Sequence, residues 1–306
     1  MYDARAIMAQ SHISKRLSHL VSDLPSLAIA KHQRSARDGF EKLLFESPDG
    51  MKVETVVIPL KKPGAVSLCL SSQVGCVMGC TFCATARMPT RRNLLPWEIV
   101  DQFVQARKMV IEQGRRVTGA VFMGMGEPFL NFHNVLTAAS WLHFPVENAI
   151  AGKSITISTV GLVREIEQFT DLNLPFRLSI SLGAATDEKR ARLVPVAART
   201  PVSAVMAAAR RHALVKRDRI NLSYVCIGGE NVGEEDARAL AALIGDTPVR
   251  LDLIDVTDPS GRYQAPTPDE LTAFRNALSV YLRQPVARRY SGGADIQASC
   301  GSLAAQ

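Results

Sequence analysis

From residue 64 onward, six short runs of strand-forming residues alternate with amphipathic helical segments. The segment 96–114 begins with proline and ends with glycine, which are typical first and last signals of a helix. Parallel strands joined by helical crossovers form a full or partial barrel, whose active site lies at the carboxyl ends of the strands. The alternation therefore predicts an α/β fold with a partial (β/α)6 barrel at 64–284. The predicted strands cover 65–72, 117–124, 154–160, 176–183, 220–227 and 249–256, and further helices cover 201–215 and 267–284.

The two ends of the chain differ from this pattern. Residues 1–63 predict an accessory region, with one or two short helices within 6–30 and a β-hairpin over 41–60 that turns at 48–50. Residues 285–306 are rich in glycine, serine and alanine after the last predicted helix, so they predict a flexible C-terminal tail.

The composition is that of a globular protein, with 47% hydrophobic and 21% charged residues over 306 positions. The first residues lack the apolar core of a signal peptide, and no stretch approaches the roughly 18 apolar residues of a membrane helix. We therefore expect a cytoplasmic protein with no membrane association, in which thiols stay reduced. The net charge of +7 permits an anionic partner such as RNA, although basic runs are more often solvated helix faces.

Four of the six cysteines lie within the stretch 67–88, and Cys76, Cys80 and Cys83 form the spacing C-x3-C-x2-C after the first predicted strand. Clustered cysteines in a reducing compartment are more often metal ligands or catalytic groups than disulfides. A structural zinc site needs four ligands, and no fourth cysteine or histidine lies at the usual spacing. Three thiolates can instead hold a cubane iron-sulfur cluster with one open iron. A distorted zinc site and buried free thiols are the alternatives.

Five segments, two of which contain cysteines, follow one another in order: "CLSSQVGCVMGCTFCATA", "VFMGMGEPFLN", "ITISTVGLV", "LSISLGA" and "ADIQASCGSLA". A single short match would be weak, but five ordered matches are specific. Together they resemble the RlmN/Cfr family of radical S-adenosylmethionine (SAM) RNA adenosine methyltransferases, over about residues 39–304. The resemblance implies a radical SAM barrel with a 4Fe-4S cluster and SAM as cofactors. It also implies RNA as substrate and a reduced flavodoxin- or ferredoxin-type protein as electron donor.

The same resemblance assigns the cofactor ligands. The three clustered cysteines would bind the iron-sulfur cluster, and SAM would chelate the open iron through its amino and carboxylate groups. Gly126 would permit close backbone approach to SAM, and Glu127 would accept hydrogen bonds from its amino group. The other residues assigned to SAM are Ser158, Ser181, Leu182, Gly183 and Thr257.

Two cysteines outside the cluster motif set this family apart from other radical enzymes. Cys300 would be methylated by one SAM molecule in a nucleophilic displacement and so become a methyl carrier. A second SAM would provide a 5'-deoxyadenosyl radical that takes hydrogen from the S-methyl group, and the resulting carbon radical would add to adenine. Cys69 would release the product by forming a disulfide with Cys300, and Glu54 would accept a proton. Cys226 matches no functional position, and we expect it to be a packing residue.

Three departures from the family pattern bear on the function: two concern SAM binding, and the third concerns the RNA target. Gly183 stands where the family usually has histidine, and Thr257 stands where it usually has asparagine. The N-terminal region is also shorter than the RNA-binding extension typical of RlmN. The favoured activity is methylation at C2 of an adenosine in 23S rRNA, with tRNA as a second substrate. Alternatives are C8 methylation as in Cfr, methylation of a small molecule or peptide, a catalytically silent RNA-binding relative, and a zinc-binding module.

Overall fold

The computed structural model describes residues 25–89, 91–145 and 149–305. The strands within these ranges are β1 (Ala28–Arg34), β2 (Glu41–Glu46), β3 (Lys52–Pro59), β4 (Ala65–Cys69), β5 (Gln73–Val74), β6 (Arg92–Asn93), β7 (Arg116–Phe122), β8 (Ile155–Thr159), β9 (Arg177–Ser181), β10 (Ile220–Cys226), β11 (Val249–Asp255) and β12 (Val286–Arg288). The helices are α1 (Pro96–Glu112), α2 (Phe132–His143), α3 (Val163–Asp171), α4 (Asp187–Leu193), α5 (Val202–Lys216), α6 (Glu234–Ile244) and α7 (Pro268–Tyr281). Within the same ranges, ten strands form one sheet in the order β1-β2-β3-β4-β7-β8-β9-β10-β11-β12, and β5 pairs with β6.

The centre of the sheet is parallel and consists of β4 and β7 to β11 in chain order. These are the six predicted strands, so the predicted α/β fold is confirmed. All five residues of β4 are buried, as expected for a parallel strand covered on both faces. Helix α1 packs on α2, α3 on α5, and α6 on α7. Because these strands are parallel, their carboxyl ends all lie on the same side of the sheet, and the candidate site is found there.

The N-terminal strands extend the sheet in antiparallel fashion, with β1 on β2, β2 on β3 and β3 on β4. The hairpin β2–β3 turns at the predicted place, with Gly50 at a φ of 77°. The predicted helix within 6–30 is wrong at residues 28–30, which belong to β1. Strand β1 is almost wholly exposed and lies at the sheet edge, so its sequence has no buried face, and its pairing with β2 determines its structure. Residues 1–24 of that predicted helical region lie outside the described residues.

The C-terminal segment, defined here as residues 289–305, follows β12 and folds back over the sheet. Strand β12 pairs in parallel with β11. Ala298, Ser299, Ser302 and Leu303 are buried. Composition alone described this region as a tail, whereas the structure packs it against the hairpin and the cysteine-rich loop. No helix in the part of the chain that the structure describes is long and apolar enough to cross a membrane.

Candidate active site

The three-cysteine loop leaves the carboxyl end of β4 and returns to α1 through the ladder β5–β6, which closes its base. Gly75 and Gly79 have φ angles of 65° and 69°, so the chain reverses direction there without side-chain strain. The Arg91 guanidinium donates from Nε to the Cys76 carbonyl at 3.2 Å and braces the loop. The sequence thus builds a rigid cysteine-bearing loop at the edge where the parallel strands end.

The three loop cysteines are free thiols on the wall of one cleft. Burial raises the pKa of the Cys76 thiol to about 12 and that of Cys80 well above its ordinary value. A bound cation would stabilise both thiolates. Among residues 25–89, 91–145 and 149–305, no three His, Cys, Asp or Glu side chains are grouped to hold a single metal ion. A cubane cluster binds each thiolate through a different iron, so three thiols on one cleft wall suit its donor set.

Gly126, beyond β7, lies where a side chain has no room. Its φ is 97°, and a Cβ there would lie 2.5 Å from the Gln73 Cβ and 2.8 Å from the Gln73 backbone nitrogen. Gln73 Oε1 also accepts a hydrogen bond from the Glu127 backbone N–H at 2.8 Å. The backbone at 126–127 is therefore held against the base of the cysteine loop, and both residues line the cleft.

The Glu127 carboxylate is buried and lies on the wall of the same cleft. Its Oε1 accepts from the Phe129 N–H at 3.0 Å, and its Oε2 accepts from the Val160 N–H at 2.9 Å. Burial raises the pKa of this carboxyl to about 7, although both hydrogen bonds act to lower it. A carboxylate has about four acceptor positions, so the amino group of a ligand can still bind and would stabilise the ionised form.

Ser158 and Ser181 lie near the ends of the neighbouring strands β8 and β9, and both contribute to the cleft wall. Their Oγ atoms are 3.3 Å apart. The structure therefore brings these two serines together with Glu127 and the three cysteines. The arrangement offers hydroxyl, carboxylate and thiol groups to a polar ligand in one place.

Leu182, Gly183 and Thr257 lie outside the cleft wall. Leu182 is fully buried in the core, and its N–H donates to the Ser223 carbonyl. Gly183 has a φ of 76°, and a Cβ there would lie 3.1 Å from Val194 Cγ2. Gly183, which stands where the family usually has histidine, therefore lies in a backbone conformation that favours glycine. Thr257 is half-buried, and its carbonyl oxygen would lie 3.7 Å from a Cβ built on Gly301.

Cys69 and Cys300 line a second, smaller cavity together with Arg289. Both are free thiols, and Cys300 also lines the cleft of the three-cysteine loop. Burial raises the pKa of Cys69 to about 12, the neighbouring Cys300 adds to this, and the Arg289 guanidinium opposes it. These two cysteines, far apart in the sequence, thus line one cavity at the carboxyl end of β4.

Glu54 lies on β3 and is fully buried, outside the walls of both cavities. Its Oε1 is 2.8 Å from Lys42 Nζ. Its Oε2 accepts from the backbone N–H groups of Ala304 and Ala305 at 2.9 and 3.1 Å. The carboxylate therefore contacts the C-terminal segment directly.

The sequence did not single out several residues of these walls. Ser223 and Asp255 lie on β10 and β11 in the cleft, and Asp255 Oδ2 accepts from Arg288 at 2.5 Å. Polar residues toward the end of a predicted strand were the available signal for both. Arg289 carried no such signal, because it follows β12, which was not predicted.

A parallel sheet with a three-thiol loop after its first parallel strand defines the class of radical SAM enzymes. The Radical SAM superfamily model matches residues 70–244, over half of the chain. A crystal structure of a radical SAM methyltransferase from Sphaerobacter thermophilus superposes with a TM-score of 0.92 at 33% identity, covering 100% of this chain and 89% of that chain. The predicted radical SAM fold is confirmed.

Similar curated proteins indicate which group of radical SAM enzymes the chain belongs to. A probable RNA methyltransferase of Myxococcus xanthus is 47% identical over 93% of this chain and 78% of its own length. A dual-specificity RNA methyltransferase RlmN of Anaeromyxobacter is 39% identical over 92% of this chain and 75% of its own length. The chain therefore belongs to the RlmN/Cfr family of radical SAM RNA methyltransferases.

Proposed function

We propose that this enzyme methylates a ring carbon of an adenosine in RNA, with C2 of an adenosine in 23S rRNA as the favoured target and tRNA as a second. The observation that carries the proposal is the place of Cys300, which lines both the cleft and the cavity that contains Cys69. A methyl carrier has to reach the methyl donor SAM in the cleft and the resolving thiol Cys69 in the smaller cavity. Among the cysteines of the described residues, no other one lines both.

Residues of the cleft would hold the two cofactors. Cys76, Cys80 and Cys83 would bind a 4Fe-4S cluster, and Gly126 and Glu127 would receive the amino group of SAM. Ser158 and Ser181 offer hydroxyls on the same wall. When bound, the cluster and SAM supply one-electron chemistry that removes a hydrogen atom from a nearby carbon. The protein contributes the position of that carbon, which is the methyl group on Cys300.

The two cysteines of the second cavity act in sequence. The Cys300 thiolate first attacks the methyl carbon of SAM; the bond from this carbon to the sulfonium breaks, S-adenosylhomocysteine leaves, and Cys300 becomes S-methylcysteine. This methyl carbon then loses a hydrogen atom and bonds to the adenine ring carbon, and the adduct gives up the ring hydrogen as a proton, which Glu54 would accept, and one electron to the oxidised cluster. The Cys69 thiolate next attacks the Cys300 sulfur. The sulfur–sulfur bond forms, the carbon–sulfur bond breaks, and the carbon keeps the electron pair and takes a proton. Glu54, the proposed proton acceptor, is buried beside the end of the C-terminal segment.

The partners follow from this chemistry. The named RNA methyltransferases among the relatives and the net charge of +7 support an RNA substrate. The one-electron step requires a reduced donor, for which we propose a flavodoxin- or ferredoxin-type protein in the cytoplasm, where the six thiols stay reduced.

The test uses SAM that carries a fully deuterated methyl group. The reconstituted enzyme is incubated with a reductant and with 23S rRNA or tRNA transcripts, and the nucleosides are analysed by mass spectrometry. We expect 2-methyladenosine with two of the three deuterium atoms, because one leaves before the bond to adenine forms. Three retained deuterium atoms would contradict the carrier mechanism. 8-Methyladenosine would support the C8 alternative, and unmethylated RNA together with 5'-deoxyadenosine formation would exclude these RNAs. Cys226→Ala, in the core, is the matched control and should behave as wild type.

A further inference from the structure

A buried ion pair lies on the hairpin β2–β3, outside the barrel strands. Lys42 is 3% exposed and Glu54 is fully buried, with Nζ and Oε1 2.8 Å apart. In the ladder Lys42 pairs with Val56 and Leu44 pairs with Glu54, so the two charged side chains are diagonal neighbours on one face. Removing both charges from water costs several kcal/mol per ion, which their attraction offsets only with further hydrogen bonds. The other groups that this pair contacts therefore show which part of the protein the pair stabilises.

Both members of the pair contact the C-terminal segment. Glu54 Oε2 accepts from the N–H groups of Ala304 and Ala305, and Lys42 Nζ lies 3.5 Å from the Gln297 carbonyl oxygen. Ala305 has a φ of 59°, a conformation that non-glycine residues rarely adopt. The successive N–H groups of Ala304 and Ala305 both point at one oxygen of the Glu54 carboxylate. The ion pair therefore holds the chain on both sides of Cys300.

The opposite side of the same segment is attached to the cysteine loop. The Ala84 N–H donates to the Gly301 carbonyl at 2.7 Å, and Thr85 Oγ1 donates to the Leu303 carbonyl at 2.7 Å. Residues 301 and 303 thus bind the cysteine loop, and residues 297, 304 and 305 bind the hairpin β2–β3. Cys300 lies between these two sets of hydrogen bonds, where the cleft and the Cys69 cavity meet.

We propose that Lys42 is a positioning residue for methyl transfer: by pairing with Glu54 it fixes the C-terminal segment and keeps Cys300 at the junction of the two cavities. The inference rests on the proposed function of Cys300 as methyl carrier. It gives Glu54 a second task, because the same carboxylate anchors residues 304–305. Lys42 itself touches neither cavity, so it acts through Glu54 and the segment.

The test measures the segment directly in the reconstituted holoenzyme. Lys42→Met removes the buried ammonium and leaves the carboxylate without a counter-charge. Amide hydrogen exchange of residues 298–305 should become about tenfold faster or more, because the contact with the Gln297 carbonyl is lost and a buried Glu54 carboxylate without its counter-charge holds Ala304 and Ala305 less tightly. Alkylation of Cys300 by iodoacetamide should accelerate in parallel, while exchange in β7 to β11 stays at the wild-type rate. Unchanged exchange and alkylation in Lys42→Met would overturn the proposal.

A matched control lies on the same hairpin. Lys52 is on β3 with a side chain 44% exposed, 3.7 Å from Glu46, so Lys52→Met removes a surface charge and should leave exchange unchanged. If amide exchange in β7 to β11 also becomes faster in Lys42→Met, the double variant Lys42→Met with Glu54→Gln is measured instead. This variant buries no unpaired charge, so its strands should stay intact. With intact strands, its segment should still exchange about three- to tenfold faster than wild type, because a neutral amide is the weaker acceptor. Wild-type protection in the double variant would contradict the proposal.

Methyl transfer provides the functional readout. Lys42→Met should accept a methyl group on Cys300 about tenfold more slowly, while the dissociation constant of SAM stays unchanged, because the proposed SAM contacts at Glu127 and Ser158 are intact. A general loss of structure would weaken both, and that outcome would count against a positioning role. If wild-type Cys300 never accepts a methyl group, the proposed function fails, yet exchange and alkylation still decide whether Lys42 holds the segment.

Discussion

Replacing Gly126 by alanine should destabilise the protein through two separable effects. The φ of 97° is unfavourable for any residue with a Cβ and costs about 1–2 kcal/mol. The new Cβ would also lie 2.5 Å from the Gln73 Cβ and 2.8 Å from its backbone nitrogen, an overlap that costs about 1–3 kcal/mol. Gly64 has a φ of 71° with nothing within 4 Å of a built Cβ, so Gly64→Ala carries only the backbone cost. The free energies of unfolding of the two variants should therefore differ by about 1–3 kcal/mol.

The assay is urea unfolding of both variants, prepared identically without metal, with the midpoints compared at equal slopes. A second readout is SAM affinity in the reconstituted enzyme. Displacement of Gln73 breaks its 2.8 Å hydrogen bond with the Glu127 N–H, so SAM should bind about tenfold more weakly or worse to Gly126→Ala and normally to Gly64→Ala. The same unfolding midpoint for both variants would refute the close-approach argument, and wild-type SAM affinity in Gly126→Ala would show that the contact of Gln73 with Glu127 does not position the SAM site.

Three further predictions test other parts of the site and the fold. Alanine at any one cysteine of the loop 76–83 should reduce iron below the about four atoms per chain of a complete cluster, measured after anaerobic reconstitution; retention of a full cluster would contradict the ligand assignment. Arg289→Met removes a positive charge that lowers the pKa of the Cys69 thiol, so this pKa should rise further and the release of free RNA should slow about three- to tenfold, with a recovery at higher pH. Burial lowers the pKa of His212 to about 4 from 6.5, so the unfolded state binds the extra proton between these values and stability falls as pH drops through this window, by about 2–3 kcal/mol at pH 4.5. His212→Gln should flatten that part of the stability curve, and an unchanged slope would show that His212 does not contribute.

The sequence predicted the parallel strands because their buried, nearly continuous apolar runs are local signals. It did not predict β12, which has three residues and lies among arginines and small residues. Strand β1 was also missed, because a nearly fully exposed edge strand has no buried face to produce alternation. Strand β1 is determined by its pairing with β2, and β12 is determined by its pairing with β11. Neither pairing can be recognised from the local sequence of the short or exposed strand.

The candidate site was predictable where chemistry follows from local spacing. The spacing of the three loop cysteines was such a signal, whereas Gly126 and Glu127 were assigned through the family resemblance; all five residues line one cleft. Lys42 had no such signal, because a lysine in "EKLLFE" reads as a solvated charge. It is buried because the C-terminal segment, more than 240 residues later, covers it, and only tertiary packing shows this.

The central claim is that Cys300 carries the methyl group and Cys69 releases the product, and their alanine variants test it most directly. Each variant is expressed in cells that contain the substrate RNA, with Cys226→Ala as the matched thiol control, and is analysed on a denaturing gel with and without nuclease. Cys69→Ala should accumulate a nuclease-sensitive covalent protein–RNA species, because no thiolate is present to break the carbon–sulfur bond. Cys300→Ala should give neither this species nor methylated RNA, and Cys226→Ala should give free methylated RNA. Methylated RNA from Cys300→Ala, or free methylated RNA from Cys69→Ala at the wild-type rate, would contradict the account.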